Sequence, residues 1–174
     1  MNHESYSDAY IRDILARSRT IAMVGASPNP SRPSYFAMKY LKQKGFRVIP
    51  VNPGQAGKEI LGEPAIASLT EIDEPVDIVD IFRASDAALA ITRDAIAIGS
   101  KVVWMQLGVR SDEAAALAEA SGLQVVMNRC PKIEYGRLSG ELAWAGVNSR
   151  TLSSRRQVLG AKGVQHRMLK AAGK

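Results

Sequence analysis

The chain is poor in cysteine, histidine and aromatic residues, and each scarcity excludes something. One cysteine among 174 residues rules out an internal disulfide and fits a reducing compartment, so a cytoplasmic location is expected. The two histidines, His3 and His166, lie near opposite ends. They offer neither a metal-ligand spacing nor a Ser-His-Asp or Cys-His arrangement. No apolar run approaches the roughly 18 residues of a membrane span, so no membrane association is expected. Residues 1–8 are polar and partly acidic, without the basic-then-apolar order of a secretory signal. Residues 145–174 contain no aromatic side chain and offer no base stacking.

What is present is an ordinary globular composition, with 46% hydrophobic and 23% charged residues. The length favours one domain. The net charge of +6 suggests nucleic acid until it is located. Seven basic residues, Arg150, Arg155, Arg156, Lys162, Arg167, Lys170 and Lys174, fall in 150–174, where there is no acid. All 17 acidic residues lie in 1–149, which is therefore near neutral. The chain reads as a domain over 1–149 followed by a basic tail over 150–174. A uniformly basic binding face is absent, and nucleic acid is not the expected partner.

Within 1–149, strands and helices alternate. Ser7 caps a helix reaching about residue 18, with Tyr10, Ile11, Ile14 and Leu15 on one face. The apolar run 20–24 reads as a buried strand ending at Gly25. A helix follows over 34–44, with Phe36, Tyr40 and Leu41 inward and Gly45 as its stop. Strands are expected at 46–51, 76–82, 101–106 and 124–127. Ser85-Asp86 caps a helix over about 87–98, and Ser111 starts one that ends near Gly122. Residues 55–75 read as a connection with at most one helical turn at 68–72. The alternation predicts an α/β fold: a parallel five-stranded sheet with right-handed crossovers and helices on both faces.

In such sheets, ligands bind beyond the carboxyl ends of the strands. The first strand is followed by Gly25-Ala26-Ser27 and then Arg32-Pro33-Ser34. Gly25 permits a tight turn and close approach to the backbone. The next helix start offers free N–H groups, and Arg32 offers a two-pronged phosphate grip. The loop lacks Gly-x-Gly-x-x-Gly, and Asn52 stands where an acid would hold a ribose hydroxyl, so NAD is disfavoured. The Walker pattern is also missing.

Five strand-end segments carry a resemblance. They are 21–27 with Arg32-Pro33-Ser34, Ile49-Pro50-Val51-Asn52-Pro53, Asp80-Ile81-Phe82-Arg83, 104–109, and Asn128-Arg129-Cys130-Pro131-Lys132-Ile133-Glu134. Together they resemble the small stand-alone coenzyme A-binding proteins, related to the coenzyme A-binding domain of the succinyl-CoA synthetase α subunit. The resemblance spans about residues 10–156 and implies a Rossmann-like domain that binds coenzyme A or an acyl-CoA. It implies phosphate contacts by Gly25, Ser27 and Arg32, within a cofactor-binding loop that also includes Ala26, Pro33 and Ser34. Asn52 and Pro53 would line the nucleotide site, bordered by Phe82 and Arg83. Met105, Gln106 and Gly108 would face the pantetheine arm. The synthetases carry a phosphoryl group on a histidine from a second domain. Neither histidine here falls in the motifs, so the resemblance transfers binding and not ligase chemistry. The alternatives are an NAD(P)-dependent oxidoreductase and a nucleotide-sensing interaction module.

Other features read more plainly. Cys130 near the ligand mouth offers a mixed disulfide with the coenzyme thiol, but a packed small residue is the preferred reading. Lys132, Glu134 and Tyr135 read as loop and surface contacts and not as a catalytic cluster. Asp77 and Asp80, three apart in a strand, point to opposite faces, and Asp80 helps organise the rim. Trp104 is expected in the core. The basic tail could bind RNA or an acidic surface, dock on the body or a second subunit, or remain solvated.

Overall fold

Every long strand of the sheet is an apolar run flanked by helices, and the crossovers make all of them parallel. The structure, a computed structural model, describes residues 2–139. Two compact units meet between Glu134 and Tyr135, and the sheet belongs entirely to the first. The basic tail and the boundary expected at 149/150 lie outside the described residues.

The elements of the sheet layer are β1 (Thr20–Val24), α2 (Pro33–Gln43), β2 (Arg47–Val51), β5 (Ile78–Ile81), α3 (Ala88–Ala97), β6 (Val102–Met105), α4 (Asp112–Ala120) and β7 (Gln124–Val126). Helix α1 (Asp8–Arg17) precedes them, α5 (Pro131–Leu138) follows, and β3 (Glu59–Ile60) pairs antiparallel with β4 (Glu63–Pro64). The sheet order is β2-β1-β5-β6-β7, all parallel. Strand order therefore reverses between β1 and β5, which opens a crevice at their carboxyl ends. Outside β2, Ile66 forms a single parallel bridge with Val51. Its N–H donates to the Pro50 carbonyl at 3.1 Å, and its carbonyl accepts from Asn52 N at 2.9 Å. This is a sixth strand reduced to one residue.

The register explains what faces where. Ala22, Val79 and Val103 lie side by side and pack under α3 and α4, together with Val51, Ile81 and Met105. Met23, Asp80 and Trp104 lie side by side on the opposite face, all with no exposed surface. Trp104 is core, and its indole N–H donates to the Arg129 carbonyl at 2.8 Å. The caps read from sequence are present at Ser7 and Ser111, whose hydroxyls accept from Tyr10 N and Ala114 N.

Four local expectations differ from the structure. Phe36 is 52% exposed, because the buried stripe of α2 is Ser34, Ala37, Met38 and Leu41, an i, i+3, i+4, i+7 set that turns Phe36 outward. Ser85 does not cap α3. A 3-10 turn over Ser85–Ala87 leads in, and the Ser85 hydroxyl instead accepts from Arg110 N at 3.0 Å. Residues 55–75 hold the β3–β4 hairpin, made possible by Leu61 and Gly62 at positive φ, besides the expected turn Leu69–Glu71. Pro131 opens α5 where loop contacts were expected. Asp77 precedes β5, and its carboxylate ties Arg19 N, Thr20 N and Lys101 Nζ.

An edge device completes the sheet. Among the described residues β7 has no partner strand on its outer side, and edge strands need cover. The Tyr10 hydroxyl bonds both Val125 N and Val125 O at 3.2 Å, and the Tyr6 hydroxyl accepts from Met127 N at 2.7 Å. Two stacked phenols thus stand in for the missing strand.

Candidate functional site

The loop after β1 is fixed by contacts that no side chain at position 25 would allow. Gly25 has φ 91° and donates its N–H to the Val51 carbonyl at 2.8 Å. A Cβ there would lie 2.4 Å from the Phe82 carbonyl oxygen and 3.0 Å from Arg83 Cδ. Ala26 is buried, and its carbonyl accepts from Asn52 Nδ2 at 2.7 Å. The Asn52 Oδ1 accepts from Gly54 N at 2.9 Å. Asn52 is thus a brace between the ends of β1 and β2, with both polar atoms committed to the chain.

Beyond Ala26 the loop holds itself. Ser27 Oγ accepts from Asn29 N at 3.2 Å, Asn29 Oδ1 accepts from Ser31 N at 2.9 Å, and Asn29 O accepts from Arg32 N at 3.0 Å. Pro33 opens α2, Ser34 is buried, and Arg32 at the cap position makes no side-chain cap bond. The positive end of α2 is therefore left without the side-chain oxygen that α1 and α4 possess. The Arg32 side chain is exposed, without a partner among the described residues.

A cleft of about 240 Å³ opens at the ends of β1, β2 and β5. Gly25, Asn52, Pro53 and Arg83 line it, as do Val24, Val51 and the 67–69 turn. Its far wall is Ala87, at the end of the 3-10 turn, with Ala90, Ile91 and Asp94 of α3. The lining is mostly apolar with charge of both signs, a composition suited to an organic ligand carrying an anionic group.

The ends of β6 and β7 form a second, tighter region. Met105 is fully buried in the core under α3 and α4. Gln106 is also buried, and its Nε2 donates to Asp80 Oδ1 at 3.0 Å and Oδ2 at 3.2 Å. Burial pushes the Asp80 carboxyl up to about 8, against the smaller opposing pull of Gln106, so it is protonated at neutral pH. Gly108 is exposed with φ 81°, and its N–H donates to Asn128 Oδ1 at 2.8 Å. Arg110 pairs with Glu4, and Arg129 lies over the Tyr6 ring at 5.7 Å. The N-terminal segment thus pins the two loops that follow β6 and β7.

Cys130 is half-buried, and burial pushes its thiol up, which favours the protonated, less nucleophilic form. Lys132 and Glu134 sit in the first turn of α5, with Lys132 Nζ 6.0 Å from the Tyr40 ring centre. No group of three or more His, Cys, Asp and Glu that could hold a metal occurs among the described residues. No helix among them is long and apolar enough to cross a membrane.

Of the residues singled out in the sequence, Gly25, Asn52, Pro53 and Arg83 meet in the cleft. Ala26 braces it, Phe82 closes on Gly25, and Ser27, Arg32, Pro33 and Ser34 form the adjoining loop and helix start. Met105 and Gln106 are buried away from solvent, while Gly108 stands in the exposed loop beyond them. The α3 wall was not anticipated. Its signal was the spacing of Ala87, Ala90, Ile91 and Asp94, a helical stripe of small and apolar residues ending in an acid.

Comparison with known proteins agrees with this fold. Residues 19–136 match the family model described as CoA binding domain. The Bacillus subtilis protein YneT, described as uncharacterized, is 38% identical over 129 residues, covering 74% of this chain and 94% of its own. A hypothetical protein from Pyrococcus horikoshii superimposes with a TM-score of 0.75 at 40% identity, covering 78% of this chain and 94% of its own. A Thermus thermophilus structure, cell-free ID.343, does so at 0.73 and 40%, covering 76% and 99%. With the match spanning most of the described residues, the chain belongs to the CoA-binding domain family.

Proposed function

We propose that the protein binds coenzyme A or an acyl-CoA by recognition alone, with no chemical step assigned to any of its residues. The carrying observation is the cleft at the ends of β1, β2 and β5, set between Gly25 and the α3 wall, with Arg83 in its lining. Phosphates suit the positive end of α2, which has no side-chain cap, and the guanidinium of Arg32, which is exposed there. The apolar walls suit a base, and a volume of about 240 Å³ takes one end of the ligand and not its whole length. The arm then runs outward toward the exposed Leu107-Gly108 loop. Family membership supports the choice of coenzyme A over other phosphate-bearing ligands. The commitment of both polar atoms of Asn52 to the backbone supports it over NAD, which needs an acceptor for ribose hydroxyls at that strand end.

Titration calorimetry and thermal shift with coenzyme A, acetyl-CoA, NAD and NADP test this reading. A ligand at 100 times its dissociation constant adds about 2.7 kcal/mol of stability. Arg32→Ala should weaken coenzyme A binding about tenfold or more, the value of a charge-assisted bond. A response to NAD with none to either coenzyme A compound would overturn the proposal. An unchanged affinity in Arg32→Ala would move the phosphates elsewhere.

A further inference from the structure

Two non-glycine residues among those described have a left-handed backbone. Leu61, at φ 53°, turns the β3–β4 hairpin. Asn128, at φ 56°, turns no hairpin. It follows β7, at the carboxyl end of the sheet where ligands bind. Such a conformation costs free energy in any residue but glycine, persists where its neighbours fix it, and concentrates at ligand clamps. The neighbours here are identifiable. On one side, Met127 N donates to the Tyr6 hydroxyl at 2.7 Å. On the other, Arg129 N donates to the Met105 carbonyl at 3.3 Å. The Arg129 guanidinium donates to the Asn128 carbonyl at 2.9 Å and to the Glu4 carbonyl at 3.3 Å, and lies over the Tyr6 ring. The left-handed turn is thus fixed from both ends.

The turn delivers one contact: Asn128 Oδ1 accepts from Gly108 N at 2.8 Å. Leu107 and Gly108 are exposed, so burial does not set their path. Past them, Val109 is buried, and Arg110 N is tied to Ser85 Oγ at 3.0 Å. The Asn128 bond therefore fixes the exposed part of this loop. We propose that Asn128 is a positioning residue: it presets the Leu107-Gly108 loop to receive the arm of coenzyme A, acting through Gly108 and not by contact with the ligand. This rests on the reading that the arm runs toward that loop.

The test is titration calorimetry of the full chain with coenzyme A and with 3′-phosphoadenosine 5′-diphosphate, the same nucleotide without the arm. The native protein should bind coenzyme A the more tightly. Asn128→Gly keeps the left-handed turn at no steric cost and deletes the acceptor. It should melt close to the native protein and bind the armless nucleotide within a factor of about two of native. Its affinity for coenzyme A should fall roughly threefold to tenfold, the worth of one hydrogen bond. Asn128→Asp keeps an acceptor oxygen and tolerates the left-handed backbone, so it should restore the ratio of the two affinities. A merely structural role would weaken both ligands alike. An unchanged ratio in Asn128→Gly, no recovery in Asn128→Asp, or equal affinities of the native protein for the two ligands would overturn the positioning role while leaving coenzyme A binding intact. Failure of the native protein to bind coenzyme A at all would overturn both.

Discussion

Asp80→Asn isolates the most unusual group in the fold. Asp80 has no exposed surface, lies between Met23 and Trp104 across the sheet, and among the described residues has only the Gln106 amide as a side-chain hydrogen-bond partner. Burial pushes its carboxyl up to about 8, against the smaller pull of Gln106, while in the unfolded chain it titrates at about 3.9. Between those limits the folded protein keeps a proton that the unfolded chain has released. Stability from this group is therefore full below about pH 4 and is lost as pH rises toward 8. The slope is about 1.4 kcal/mol per pH unit, or about 3 kcal/mol between pH 5 and 7, a large share of a typical domain's stability. Asparagine keeps the shape and a carbonyl acceptor for Gln106 but cannot ionise. Other titrations are common to both proteins. Asp77 and Glu63 are held below the usual carboxylate range by their hydrogen-bonded partners, which outweigh burial, and they lose their contribution only as pH falls through the acid range. Urea unfolding at pH 5, 6 and 7 should show the stability of Asp80→Asn relative to native rising by about 1.4 kcal/mol per unit. Whatever constant offset the substitution brings is separate from that slope. Parallel profiles would refute the reasoning, because they would mean that Asp80 is already ionised in the folded protein.

Gly25→Ala should cost about 3 kcal/mol or more, since it combines a left-handed backbone with a Cβ 2.4 Å from the Phe82 carbonyl oxygen. Thermal unfolding reads this directly, and a change below 1 kcal/mol, typical of unstrained substitutions, would refute the close approach. Tyr6→Phe removes the acceptor for Met127 N and should cost about 1–2 kcal/mol, with faster hydrogen exchange confined to the β7 edge. Exchange at Met127 as slow as in the native protein would show that the phenol is not its cover. Asn52→Ala unties Ala26 from Gly54 and should cost about 1–3 kcal/mol, because the buried Ala26 carbonyl loses its side-chain donor. Asn52→Asp should recover little of this, since a carboxylate cannot donate to that carbonyl. Urea midpoints of the two variants decide it, with full recovery in Asn52→Asp refuting the donor role.

The local signals settled much of this protein before any contact was known. The apolar runs at Thr20–Val24 and Val102–Met105, the caps Ser7 and Ser111, and the turn glycine Gly25 each act over a few residues, so they are written where they operate. Their alternation implied the parallel sheet, and the segments after each strand marked the end at which a ligand binds. What required the tertiary structure was every choice between faces and partners. Phe36 is the largest apolar residue of α2 yet turns outward, because the sheet accepts the narrower stripe of Ser34, Ala37, Met38 and Leu41. Ser85 looks like a helix cap but bonds Arg110, 25 residues away. Asn52, read from sequence as lining the nucleotide site, is also a brace between two loops. Tyr6 and Tyr10 cover an edge more than a hundred residues distant, which no local pattern encodes. Asp94 and Arg83 line one cleft with the ends of β1 and β2, which no local pattern states. Backbone propensity and periodicity are properties of neighbouring residues and survive in the sequence, whereas burial, proton affinity and the pairing of distant loops exist only once the sheet has closed over them.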